Sequence, residues 1–439
     1  MSPLEVNGVL LLYNHPLTKN APTIMDHVNS FGQYSRFKVW KVNTECGFPK
    51  KLKDLRFKVI VLHYSLFGFR PILNVEFLKY LEDGKESYKI AFFQDEHRFC
   101  RMRFGFLNRQ QIDCVFTLVE SHFFKDTYEK YTSVPRLVYC LPGYVSDSML
   151  VASSKYYWPD EKRTIDIGYR GRKLDYYMGK GAQEKYEIAV KFREKASGLG
   201  LKLNIEADES KRIYGEKWYR FSANCRGMLG VEAGVSIFDV EDIVYENYQR
   251  LMALNPKISF EEMSEQAGFK EWEDHIYYRT ISPRHFEAAA FRVCQILFEG
   301  KYSGIMRPMV HYIPLKKDFS NFHEVIEMFK NSAFRKELTE NAFNDLIASG
   351  LYTYKEFVRN VFDEALLEAG LRPEIDSADA ERVAKLLGED FYYRQLRGVL
   401  KSARRYQFPG RSLLVPFVKP VLQKYDRWKE KKALSFYNN

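Results

Sequence analysis

The sequence predicts an α/β protein: two consecutive open units, each with a parallel sheet, facing each other across a cleft, and then a basic helical tail. Three observations carry that prediction. In the first 145 residues, six short apolar runs alternate with helical stretches. After a polar interval the same alternation begins again, and residues 391–439 concentrate the positive charge. Strands separated by helical crossovers rather than tight turns pair in parallel and need helices on the faces of the sheet.

The first unit, residues 1–150, opens on the strand Gly8–Tyr13 and continues with Phe37–Val42, Lys58–His63, Lys89–Phe93, Cys114–Leu118 and Leu137–Leu141. The Pro142–Val145 turn and the polar stretch Ser146–Arg163 read as a linker. The second unit, residues 151–370, starts with the strand Thr164–Tyr169 and a helix that gathers Ile188, Ala189, Phe192 and Ala196 on one face. Strands Leu201–Ile205 and Met228–Val231 follow, then a helical insert over about 241–270, a helix from Pro283 to Val293, and strands Gln295–Phe298 and His311–Leu315. Phe322, Val325, Ile326 and Phe329 mark a further helix, and Phe357, Val361 and Ala365 another. Residues 371–439 form the basic amphipathic tail.

Composition narrows the function classes. With 46% hydrophobic residues, 28% charged residues and a mean hydropathy of −0.39, the chain is neither disordered, collagenous nor multispanning. Its six cysteines are scattered without a CxxC pair, which predicts reduced thiols in a cytoplasmic protein and neither a disulfide framework nor a zinc site. Gly8–Tyr13 is too short for a secretory core, and Ser412–Val418 is stopped by Lys419 and Pro420, so no export signal and no membrane span are expected. Residues 391–439 hold twelve Lys or Arg against two acids, which matches the whole net charge of +10. The neutral remainder offers no extended basic groove for nucleic acid. In the tail, charge is interleaved with Leu413, Leu414, Val415, Phe417, Val418 and Trp428, which suits peripheral docking on an anionic membrane or packing back onto the first unit.

Two open α/β units place ligands at the carboxyl ends of both sheets, a geometry for a two-substrate transferase. Within Ile281–Ala290, Ser282 suits an N-cap and Pro283 the first helical position, so Arg284 and His285 fall in the first turn, where free N–H groups favour an anion. Glu287 can accept hydrogen bonds from a ribose diol there, and an ordinary capped helix explains the same residues. Arg170, Arg172 and Lys180, around the carboxyl end of Ile165–Tyr169, can reach a leaving diphosphate or be solvated loop cations. In the first unit, Asp95 and His97 end the Lys89–Phe93 strand and are candidates to deprotonate an acceptor hydroxyl. Asn14, His15 and His63 sit at neighbouring strand ends as candidate acceptor-binding residues, where structural roles also suit the histidines. A rival reading places Mg or Mn on Asp239 and Asp242, which equally suit the acidic start of a helix.

On Ser282–Ala290 followed by the strand Gln295–Phe298, the sequence resembles the GT-B glycosyltransferases, and more closely the CgeB-like set with a "glycosyl transferases group 1" type second domain; the resemblance spans roughly residues 8–365. It implies two Rossmann-like domains, with acceptor bound mainly by the first and nucleotide-sugar by the second, and no metal cofactor. It implies that Glu287 grips the nucleotide ribose and that Arg170 and Arg172 lie where the family holds diphosphate. The chain departs from the family's Glu-x7-Glu pattern, because Arg279 stands where the first glutamate would be; Glu232, flanked by glycine after a strand, is the candidate replacement or a solvated loop residue. The expected activity is sugar transfer from a nucleotide-sugar to a hydroxyl acceptor in bacterial surface glycan or glycoconjugate synthesis. A non-catalytic nucleotide- or glycan-binding protein is the alternative.

Overall fold

A computed structural model describes residues 3–16, 22–68 and 73–405. The first sheet contains β1 (Leu4–Tyr13), β2 (Val39–Asn43), β3 (Leu55–Leu62), β4 (Tyr88–Phe92), β5 (Cys114–Thr117) and β6 (Arg136–Tyr139). All its pairings are parallel, in the order β2-β1-β3-β4-β5-β6. Leu10, Leu11 and Leu12 of β1 and Val59 to Leu62 of β3 are fully buried, as apolar runs covered on both faces must be.

The second sheet contains β7 (Ile165–Arg170), β8 (Leu203–Glu206), β9 (Cys225–Gly230), β12 (Cys294–Phe298) and β13 (Ile313–Leu315). It is also parallel, in the order β13-β12-β9-β7-β8. In both sheets the first strand lies between the second and the third, so each has a topological switch point where its chain crossovers change direction. The residues after β1 and β3, and those after β7 and β9, line those points.

Two features depart from the expected layout. An antiparallel pair, β10 (Ala233–Ile237) and β11 (Glu273–Thr280), brackets the helices Ile243–Leu254 and Phe260–Gln266 of the insert. Phe238, Val240, Val244 and Tyr278 of this excursion join the core of the first unit. The second departure lies near the end of the chain. Tyr354, Phe357, Phe362 and Leu366, expected within residues 151–370 as part of the second unit, pack on the first sheet, with Phe362 edge-on to Phe31 at 4.7 Å between ring centres.

The fully buried Asp363 fixes that return by accepting from the Ser35 hydroxyl (2.6 Å), the Arg36 backbone N–H (2.8 Å) and Arg36 Nε (3.2 Å). The two crossings between units run side by side: Val145 donates to the Tyr352 carbonyl (2.8 Å), and Tyr354 donates back to the Val145 carbonyl (3.1 Å). The helix Phe391–Arg405 lies against the turn after β2, with Lys401 on the buried Glu45 (3.0 Å) and Arg394 on Asp390 (2.7 Å). Arg394 and Lys401 face the protein, whereas Tyr392 (87% exposed), Tyr393, Leu396 and Val399 face solvent. The remainder of the predicted basic tail, 406–439, lies outside the described residues. No helix among the described residues is long and apolar enough to cross a membrane.

Candidate functional site

The helix Pro283–Ala290 starts as its sequence predicts. Ser282 accepts from the Arg284 N–H (3.3 Å), and His285 Nδ1 accepts from the Ser282 N–H (3.1 Å), closing a capping box. Burial, with the neighbouring Arg284 charge adding to it, lowers the His285 pKa to about 3 and keeps the ring neutral, with its Nε2 turned towards Gly230. Arg284 is exposed, and its Nη1 donates to the Arg170 carbonyl (2.8 Å). Glu287, one turn on, is 8% exposed; its Oε2 accepts from Trp218 Nε1 at 2.8 Å. Burial raises its pKa to about 7 against the pull of Trp218 and Arg284, and Asp26, from the helix Pro22–Tyr34 of the first unit, adds to the rise. Glu287 therefore lies within electrostatic reach of the first unit.

Lys185 is the cation that sequence reasoning missed. On the helix Lys180–Lys195, it donates to the Gly234 carbonyl, and burial together with neighbouring Arg284 lowers its pKa to about 8, opposed by Asp95 and Glu184. Lys185 also contributes to holding His97 neutral, behind burial, Arg98 and Arg103. Asp95 and His97 of the first unit thus lie within electrostatic reach of Lys185 of the second, which has Arg284 beside it. Asp95 is exposed; His97 is 4% exposed, and neither of its ring nitrogens has a hydrogen-bond partner. A buried imidazole left that way forgoes about 1–3 kcal/mol that a polar ligand group can restore. Beside it Glu96, its pKa raised to about 7 by burial, accepts from the Thr117, Tyr128 and Tyr278 hydroxyls and the Leu118 N–H; the Tyr278 bond ties β11 to the first unit.

Other expected residues are engaged elsewhere. The Arg170 guanidinium donates to the Asn204 carbonyl and side chain (2.8 and 2.7 Å) and stacks 4.3 Å from the Phe221 ring centre, so its carbonyl rather than its charge meets Arg284. Arg172 is exposed, 3.6 Å from Glu209. The Lys180 side chain is exposed while its N–H donates to Glu273 (2.6 Å) and the Gly181 N–H to Ser236 (2.8 Å), which fills that helix start with protein acceptors. Gly179 there has φ +78 and its Cβ position lies 2.5 Å from Ser236 Oγ, so only glycine fits. Glu232 accepts from the Lys301 and Tyr302 N–H groups (3.1 and 2.8 Å) and the Tyr277 hydroxyl (2.8 Å), tying the end of β9 to the loop after β12. Arg279 pairs with Glu184 (3.0 Å) and Asp274 (2.8 Å).

Asn14 and His15 do gather at the first switch point. Asn14 Nδ2 donates to Thr44 (3.1 Å), and the His15 N–H donates to Asn43 Oδ1 (3.0 Å). His63 does not reach the cleft: it is fully buried, with Nδ1 on the Ser65 hydroxyl (2.8 Å) and Nε2 on His27 Nδ1 (2.9 Å). The metal alternative meets carboxylates already employed. Asp242 accepts from the Cys100 and Arg101 N–H groups (2.9 and 3.1 Å) at the start of the helix Cys100–Arg109, and Asp239 accepts from the Tyr245 N–H (2.8 Å) at the start of Ile243–Leu254. Among the described residues no group of three or more His, Cys, Asp or Glu is placed to hold a metal ion.

No family model and no curated protein matches the sequence. Solved structures match the fold. An alpha-glucosyltransferase in complex with UDP-glucose and DNA containing an abasic site aligns with 83% of this chain and 100% of its own, at 12% identity and a TM-score of 0.50. The fold is GT-B. An alpha-glucosyltransferase with UDP and a 13-mer DNA containing a HMU base aligns over 83% and 99% at 11% identity and TM-score 0.48. The sucrose-phosphate synthase of Thermosynechococcus elongatus aligns over 84% and 99% at 10% identity and TM-score 0.42. The GT-B architecture accounts for the two facing parallel sheets; the CgeB-like subtype has no match behind it.

Proposed function

We propose that the chain is a glycosyltransferase that moves a sugar from a nucleotide-sugar to a hydroxyl of a glycan or lipid-linked glycan. One observation carries the reading: the buried Lys185 of the second unit, beside Arg284, lies within electrostatic reach of Asp95 and His97 of the first, as Glu287 does of Asp26. Arg284 and Lys185, at the positive end of the Pro283–Ala290 helix, stabilise the charge that develops on the departing diphosphate. Glu287, ionised, accepts from the two ribose hydroxyls. Asp95 is exposed and accepts the proton of the attacking hydroxyl. His97, neutral, offers one N–H and one lone pair to a sugar hydroxyl. No role is assigned to a metal.

The outward aromatic face of Phe391–Arg405 supports peripheral binding to an anionic lipid surface, since tyrosines at such a boundary keep an apolar body and a polar tip. The cations of 411–432 add attraction.

The test is a melting panel with UDP, GDP, CDP and ADP on the wild type, Glu287→Ala and Lys185→Met, with and without chelator. At about a hundred times its Kd a nucleotide adds about 2.7 kcal/mol. One nucleotide stabilising the wild type, unaffected by chelator and losing its effect in both variants, is the expected result. No response to any nucleotide overturns the reading. Nucleotide binding without turnover of any nucleotide-sugar leaves a silent binding protein.

A further inference from the structure

We propose that a cavity on the outer edge of the second sheet is a neutral-saccharide subsite, holding sugar residues of the acceptor; the word acceptor rests on the transferase reading. The cavity encloses about 720 Å³ at the carboxyl ends of β7 and β8. That lies within the roughly 300–1,000 Å³ of small-molecule sites. Tyr186, Val190 and Arg193 recur at helical spacing along Lys180–Lys195 and form one wall, and Arg98 of the first unit reaches in from across the cleft.

The charge pattern selects the ligand class. Arg98, Arg172, Lys173 and Arg193 are matched by four carboxylates, Asp208 and Glu209 among them. A bare anion such as a diphosphate meets as many repelling groups as attracting ones. An apolar ligand strips water from charged groups and returns no hydrogen bond. A neutral polyol meets neither obstacle, because each vicinal diol donates to carboxylates and accepts from guanidinium groups. Tyr186, 37% exposed, presents a ring on which the C–H face of a pyranose can rest. Lys185, Arg284, Glu287, Asp95 and His97 are absent from the lining, so a saccharide held here does not occupy the proposed transfer centre. This places an acceptor contact on the second unit, whereas the family resemblance puts the acceptor mainly on the first.

The experiment is a broad printed glycan array probed with the labelled full-length chain, Tyr186→Ala and Arg193→Glu, alongside melting with UDP, GDP, CDP and ADP on the same preparations. The expected result is binding to a defined set of glycans, reduced at least tenfold by each substitution and not displaced by nucleotide, with nucleotide response retained in both variants. Binding to no glycan, binding that survives both substitutions, or displacement by nucleotide overturns the proposal. A nucleotide response without glycan binding removes the subsite alone. Glycan binding without any nucleotide response removes the transferase reading and leaves the subsite.

Discussion

Replacing Glu287 by Gln separates what burial does to this side chain from what the carboxylate does for a ligand. In the folded protein the Glu287 pKa is raised from 4.5 to about 7, with burial the largest cause. A carboxyl whose folded value is raised contributes its stability in full below pH 4.5 and loses it as pH climbs to about 7, because the unfolded chain ionises first. At about 1.4 kcal/mol per pH unit, the loss in the wild type approaches about 3 kcal/mol by pH 8. Glu287→Gln does not titrate and keeps an oxygen for Trp218 Nε1. Urea unfolding should therefore find the variant close to wild type at pH 4.5 and more stable by about 3 kcal/mol at pH 8. The same residue should act oppositely on a ligand. A nucleoside-diphosphate sugar does not titrate between pH 5 and 8, and if its ribose hydroxyls are held by the ionised carboxylate, wild-type affinity should fall about tenfold from pH 8 to pH 6. Glu287→Gln should bind weakly and without that slope. A stability difference that does not change with pH refutes the buried carboxyl, and wild-type affinity independent of pH refutes its part in binding.

Asp363→Ala should destabilise the chain by about 3 kcal/mol in urea, because it leaves Arg36 and the Ser35 hydroxyl without their buried acceptor; a loss below about 1 kcal/mol contradicts the anchoring role. Asp242→Asn should cost about 1 kcal/mol through the cap on Cys100–Arg109 and leave nucleotide binding unchanged, whereas loss of binding on adding chelator to the wild type would restore the metal alternative. Tyr392→Glu with Leu396→Glu should abolish co-sedimentation with phosphatidylglycerol vesicles while leaving the melting temperature within about 2 °C, since both side chains are exposed. Unaltered sedimentation would assign any lipid binding elsewhere.

The parallel strands were legible because a strand covered on both faces must be apolar along its length, and Leu10–Tyr13 or Ile60–Leu62 can be little else. The antiparallel β10–β11 pair escaped for the opposite reason. Glu273-Asp274-His275 opens β11 with three polar side chains, half on the surface, and its pairing lies across a long helical excursion. The Ser282–Glu287 helix start could be read from capping chemistry, which is local. Lys185 could not: in Lys180–Ala189 it looks like one more exposed helical lysine, and it is Gly234 and Arg284, distant in sequence, that make it special. Arg170 and His63 fell to the same limit, their polar atoms being engaged by Asn204 and His27 from elsewhere in the chain.

The return of the chain at Tyr354 governs the order in which the molecule can be made. The second unit is, in topology, an insertion between Val145 and Thr353, and its own sheet uses only residues from within that interval. It can fold as it leaves the ribosome. The first sheet emerges earlier yet waits for Phe357, Phe362 and Leu366 to cover Phe31, Phe92 and Phe116, more than 200 residues later. At roughly 5–20 residues per second that interval lasts on the order of 10–50 s, during which an apolar face stays open to chaperones or to other nascent chains. A fragment ending at the linker would keep that face permanently uncovered.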